Sequence, residues 1–136
     1  MANHFHVEID VDAPARRVWE VVGDPAEASW FPAVESCRLE GDIRYADMVG
    51  GYQLRERITH HDDEGMSYTY SVLSGTPTKL RSHSATIGVE ESGSGSRVVW
   101  RTEAEPEDPD VDLEARLGAV MQKGLAEVKR RSEAGS

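Results

Sequence analysis

From Phe5 to Val11 the chain alternates, with Phe5, Val7, Ile9 and Val11 on one side and His4, His6, Glu8 and Asp10 on the other. A period of two predicts a strand with one wet face. Asp12, Ala13 and Pro14 then read as a helix start, because proline is tolerated in a first turn. Val18, Trp19 and Val22 give that helix an apolar face, and Gly23, Asp24 and Pro25 end it. A second short helix is expected from Pro25 to Trp30, stopped by the restriction that Pro32 places on Phe31. The glycine-containing breaks at 41–42, 50–51, 62–65, 75–77 and 93–95 separate six further strand-like runs, at 34–39, 43–49, 52–60, 66–73, 80–90 and 96–104. Short connectors between such runs imply an antiparallel meander.

After a proline-containing acidic loop at Pro106–Asp110 the period changes. Leu113, Leu117, Val120, Met121, Gly124, Leu125 and Val128 share one side of a helical pattern, while Glu114, Arg116, Gln122, Lys123, Glu127 and Arg130 cover much of the other. The pattern predicts a helix from near Asp110 to about Arg131. Its apolar stripe needs a partner, and the inner face of a curved sheet is the large one available. The fold class expected is therefore α+β: a seven-stranded antiparallel sheet wrapped around a long C-terminal helix, with two short helices after the first strand.

A length of 136 residues suits one domain spanning 1–136, with a core but no second module. Fifteen Lys and Arg against twenty-five Asp and Glu give a formal charge of −10. Such a field repels phosphate backbones and anionic surfaces, so nucleic-acid and lipid-headgroup binding are not expected. No run approaches the ~20 apolar residues of a membrane span, and Met1–Asp12 lacks the apolar segment of a signal peptide. A single cysteine, Cys37, cannot form an internal disulfide and leaves the compartment open, while the missing signal favours a cytoplasmic location. No cofactor loop is seen: Gly50–Gly51 is too short to cradle phosphate and reads as a hairpin.

The chemistry depends on which side chains face inward. Leu54, Glu56 and Ile58 share a face of one strand, and Met66, Tyr68, Tyr70 and Val72 share a face of the next. If these faces look inward, Glu56 is a charge in an apolar lining and must be paired, wet or protonated. It reads as a polar anchor or proton acceptor, as a structural partner of Arg44, Arg55 or Arg101, or as simply exposed. His83 alternates with Arg81, Ala85, Ile87 and Val89. Its imidazole could serve a ligand carbonyl or act as a base, or it could complete an internal polar network with a tyrosine.

Tyr68 and Tyr70 offer apolar area with hydroxyl tips, Trp30 sits where an entrance would be, and Met121 shares the inward stripe with Leu117 and Leu125. Trp30, Glu56, Tyr68, Tyr70, His83 and Met121 are thus the candidate ligand-binding residues. Trp19 and Trp100 read as core aromatics. No metal site is expected, since His60 and His61 point oppositely on a strand, and His4 and His6 lack further ligands. Ser36 and Cys37 form no nucleophile elbow, and Cys37 reads as a packing residue.

The order of elements resembles the helix-grip fold of the START-like (SRPBCC) superfamily, which includes polyketide cyclases, lipid-transfer domains, the birch-pollen allergen group and plant abscisic acid receptors. The resemblance covers nearly the whole chain. Local matches are Val11-Asp12-Ala13-Pro14 before Val18-Trp19, Trp30-Phe31-Pro32-Ala33-Val34-Glu35-Ser36-Cys37, Glu56-Arg57 and Arg97-Val98-Val99-Trp100. They look like the bacterial polyketide cyclase/dehydrase subfamily, and none is a catalytic signature. The resemblance implies a cavity between the concave sheet and the terminal helix. Glu56 aligns with a cavity glutamate of the abscisic acid receptor branch, whereas Glu35 stands where that branch has a lysine for its ligand's carboxylate. The reversed sign speaks against a carboxylate ligand docked in that way.

Three functional classes follow. The first is non-covalent binding or transport of a small hydrophobic, lipid-like or polyketide-like molecule, uncharged or cationic. The second is a cyclase or aromatase in which Glu56, His83 and Tyr68 or Tyr70 move protons. The third is a protein-interaction domain whose cavity has been filled.

Overall fold

The computed structural model describes residues 3–134. The expected 1–136 boundaries therefore lie outside the described residues at both ends. The elements run β1 (Asn3–Val11), α1 (Ala15–Val22), β2 (Val34–Glu40), β3 (Ile43–Met48), β4 (Tyr52–Asp62), β5 (Ser67–Ser74), β6 (Leu80–Ser92), β7 (Gly95–Pro106) and α2 (Leu113–Ala134). The strands form one seven-stranded sheet ordered β1-β7-β6-β5-β4-β3-β2. Every neighbouring pair is antiparallel, and β1 closes against the last strand from Asn3↔Ala104 to Val11↔Ser96.

The helix-grip architecture is the one the residue pattern predicts, with one correction. Pro25–Trp30 is not helical. Two successive turns take its place, closed by Glu27 N–H to Asp24 O and Phe31 N–H to Ala28 O. The carboxylates of Asp24 and Glu27 each accept from the backbone N–H two residues on, at Ala26 and Ser29. These local bonds compete with a helix, and the stretch between Pro25 and Pro32 is too short to nucleate one.

The first helix starts later than Asp12 or Ala13. Pro14 occupies the N-cap without a side-chain bond, and its carbonyl receives Arg17 and Val18. Gly23 ends α1 with its N–H on Trp19 O. The Trp19 indole covers Gly23 so closely that a Cβ there would lie 2.4 Å from the ring. Helix α2 begins after Asp112, whose carboxylate accepts Ala115 N–H and whose carbonyl accepts Arg116 N–H.

Leu113, Met121, Gly124, Leu125 and Val128 form the buried stripe of α2. Leu113, Met121, Leu125 and Val128 join Val18, Val22, Ile87, Val98 and Trp100 in one core. Helix α2 lies chiefly on β1, with further contact to α1 and β7. It therefore covers one side of the concave face. The irregular segment 24–33 covers the side formed by β3, β4 and β5, and this division of labour positions the cavity.

Candidate functional site

Arg44 on β3 and Glu56 on β4 are register partners on the inward face. Arg44 Nε donates to Glu56 Oε1 at 2.9 Å, and each side chain is only 7% exposed. Arg44 Nη1 also donates to Pro25 O at 3.1 Å and to the Tyr68 hydroxyl at 3.2 Å. The guanidinium carbon lies 4.9 Å from the Tyr70 ring centroid and 5.7 Å from that of Tyr68. Burial works against the Arg44 charge, but Tyr68, Glu56 and Tyr70 together outweigh it and hold the guanidinium above its ordinary value. The same burial pushes both phenols upward. They are neutral hydrogen-bonding groups here.

Above this cluster sits the segment between α1 and β2. Trp30 is stacked near Phe31, and both meet Trp100 edge-on, with centroids 5.6 and 5.3 Å away. Trp100 Nε1 donates to the Tyr70 hydroxyl at 3.0 Å. Gly124 on α2 leaves the notch that Phe31 and Trp30 occupy, since a Cβ there would lie 2.8 Å from Phe31 Cδ1 and 3.2 Å from Trp30 Cζ3. Arg131 near the end of α2 ties the segment down through Ser29, donating to its Oγ and its carbonyl at 2.9 Å each.

Between the segment and the sheet is a small cavity of about 40 Å³. Ala28, Trp30, Phe31 and Val34 line it from above, and Arg44, Ala46, Met48, Leu54, Glu56, Tyr68, Tyr70 and Trp100 from the sheet. The volume accommodates ordered water, not a multi-ring ligand, so a larger occupant requires segment 24–33 to move. A wider hollow of about 370 Å³ lies on the solvent side of the sheet, walled mainly by His4, His6, Ser84, Thr86, Arg101 and Glu103. Its polar, open walls offer little to a hydrophobic molecule.

Four of the six candidate residues, Trp30, Glu56, Tyr68 and Tyr70, line the cavity together. His83 and Met121 do not. His83 stands behind Tyr70, with ring centroids 5.6 Å apart, and its Nδ1 accepts Val72 N–H at 3.2 Å. The β5–β6 register ends at Tyr70↔Ala85, so this side chain substitutes for a ladder partner beyond it. Burial drops its pKa to about 4. Met121 belongs to the core beneath α2, in one cluster with Trp30, Tyr70 and Trp100, and is not among the residues lining the cavity.

Sequence reasoning missed Arg44 and Trp100 as lining residues. The alternation of Arg44 with Ala46 and Met48 carried the signal for the first. For Trp100 nothing in the pattern separated core from cavity wall. The Cys37 thiol donates to Ala26 O at 3.1 Å, half-buried, and desolvation raises its pKa. Among the described residues, no group of three or more His, Cys, Asp and Glu is placed to hold a metal ion. No helix among them is long and apolar enough to cross a membrane.

The sequence pattern of the family described as polyketide cyclase / dehydrase and lipid transport matches residues 2–133. The chain belongs to that family. Solved structures with the same fold include the protein XoxI from Bacillus cereus, 24% identical with 94% of each chain covered and a TM-score of 0.85. An uncharacterised Bacillus thuringiensis protein is 22% identical over 96% of this chain and 98% of its own, with a TM-score of 0.86. The major latex-like protein 151 of Panax ginseng is 16% identical over 96% and 97%, with a TM-score of 0.82. At these identities the likeness extends to the fold alone. No curated protein matches the sequence. The polyketide cyclase/dehydrase and lipid-transport fold, with its aromatic-walled interior, is consistent with binding a small hydrophobic molecule.

Proposed function

We propose that this protein reversibly binds or carries a small, uncharged, mostly hydrophobic molecule, lipid-like or polyketide-like, in the cavity beneath segment 24–33, without covalent chemistry. The carrying observation is the Arg44–Glu56 pair set among Trp30, Tyr68, Tyr70 and Trp100. The apolar walls supply the binding free energy. Glu56 would favour a cation only if its charge were free, and Arg44 already matches it. A charged ligand of either sign would enter a desolvated site with no counter-charge left to meet it.

The cyclase reading gains little from the geometry. Glu56 is engaged by Arg44, and His83 is turned to the Val72 amide behind the cavity wall. The interaction-domain reading has one observation in its favour, the small cavity volume of about 40 Å³.

Native mass spectrometry after gentle purification, followed by identification of the released compound, separates the three. A stoichiometric hydrophobic compound released unchanged supports the carrier. Conversion of a supplied polyketide, reduced by Glu56→Gln without loss of binding, replaces it with the enzyme. A broad hydrophobic ligand screen without a hit, on a dry interior, leaves the interaction domain.

A further inference from the structure

Apart from the Arg44-bound carboxylate of Glu56, the polar groups on the cavity wall are left with unspent donors. Arg44 spends its Nε on Glu56 and its Nη1 on Pro25 O and the Tyr68 oxygen, and Trp100 spends its N–H on the Tyr70 oxygen. Both phenol oxygens therefore act as acceptors, and among the described residues neither phenol proton has an acceptor. Trp30 is the extreme case. The residue is 2% exposed, and its Nε1 is buried without any hydrogen-bond partner among the described residues. Buried donors are satisfied in the great majority of native sites, so an orphan on a cavity wall marks where a partner belongs.

The Cζ3 corner of Trp30 faces Gly124 on α2, and Trp30 is itself one of the residues lining the cavity, so the orphan donor belongs to a side chain of that wall. An amine would find only the Glu56 carboxylate, already matched by Arg44, as an acceptor among these groups. A carboxylate would bring a charge that the Arg44–Glu56 pair leaves unbalanced.

We infer, resting on the ligand-binding reading above, that the ligand carries a neutral carbonyl oxygen, and that Trp30 Nε1–H donates to it with the Tyr68 and Tyr70 hydroxyls as further donors nearby. Trp30 is then a specificity-determining residue as well as part of the cover.

The test uses 1-tetralone and tetralin, bicyclic probes of nearly equal size that differ by one carbonyl and that both need the same displacement of segment 24–33 to enter the small cavity. Each is titrated into the wild-type protein and into Trp30→Phe, which keeps an aromatic ring but removes the donor. Comparing the two proteins for each probe cancels the probes' different solubility in water. Trp30→Phe is expected to weaken tetralone by about fivefold to tenfold and to leave tetralin within about twofold. In wild-type protein labelled with ¹⁵N at tryptophan, tetralone should move the Trp30 indole proton downfield and tetralin should not. This readout needs no variant and decides the matter if Trp30→Phe fails to fold. Equal losses for both probes, or an indole proton that tetralone leaves in place because water already holds it, would overturn carbonyl recognition while leaving ligand binding intact. If neither probe binds, carbonyl recognition at this cavity is overturned, and the broad hydrophobic screen described above decides the ligand-binding reading separately.

Discussion

Removing one member of the Arg44–Glu56 pair should be among the most damaging changes this protein can suffer, and removing both should be tolerated. In Glu56→Leu, Arg44 keeps Pro25 O and the Tyr68 oxygen but loses its counter-charge in a site where it is 7% exposed. An arginine cannot escape by shedding its proton. Breaking a buried pair in this way costs about 3–5 kcal/mol. Unfolding entropy of about 2.1 cal/mol/K per residue gives roughly 0.29 kcal/mol/K for 136 residues. The melting temperature should therefore fall by roughly 10–17 °C. Arg44→Met should cost a similar amount by stranding Glu56. The double variant Arg44→Met/Glu56→Leu should return to within about 2 kcal/mol of wild type, because an apolar replacement removes both desolvation penalties. Urea unfolding of all four proteins closes the cycle and yields the coupling directly. Single losses below about 1 kcal/mol, or a double variant whose loss is the sum of the singles, would refute the description of these groups as a buried, mutually dependent pair.

Gly124→Ala should push Phe31 and Trp30 out of their notch, costing about 1–3 kcal/mol of overpacking, partly offset by up to ~1 kcal/mol of helix propensity. Acrylamide quenching of tryptophan emission should rise if the cover has lifted, and unchanged quenching would show that the notch relaxes without moving it. His83 should make the protein acid-sensitive: its pKa is about 4 when folded against 6.5 as the reference, so the unfolded chain binds the extra proton between those values. Stability then falls as pH drops from about 6.5 to 4, by roughly 3 kcal/mol for a full displacement, and the difference between wild type and His83→Gln across that window isolates this part from the carboxylates. Truncation after Asp110 should expose the apolar faces of β1 and α1 and abolish cooperative thermal unfolding. A retained sharp melt would make α2 peripheral.

The sheet was legible because alternation runs cleanly in strands such as β1, with Phe5-Val7-Ile9-Val11 on one side, and because glycine-containing turns mark off the strands whose alternation bulges interrupt. The change of period at Leu113 marked α2 equally well. Pro25–Trp30 misled because its helical length is set by two prolines, while its conformation is set by Asp24 and Glu27 bonding to nearby amides. Glu56 could be recognised as an anomaly on an apolar face, with Arg44 as one of several partners. Register alone, Arg44↔Glu56, chose among them. Met121 lies on the same stripe as Leu125, yet sequence cannot tell over which strands a helix will lie, and α2 rests on β1. For His83 the alternative of an internal role beside a tyrosine was legible and Tyr70 is its neighbour, but its hydrogen-bond partner is an amide freed by the end of a ladder, a feature no side-chain pattern records.

The pairing of β1 with β7 has a consequence for how the chain is made. Ribosomes extend a polypeptide at about 5–20 residues per second, so β1 emerges roughly 5–20 s before the strand that completes it, Gly95–Pro106. During that interval Phe5, Val7, Ile9 and Val11 have neither their sheet neighbour nor the α2 stripe that later shields them. The hairpins from β2 to β7 need only local closure and can form as they appear, while the first and last strands must wait for each other across nearly the full chain, the slow kind of contact. The earliest strand synthesised is thus among the last to be housed, and it is the strand whose exposure a cell's chaperones would most often meet.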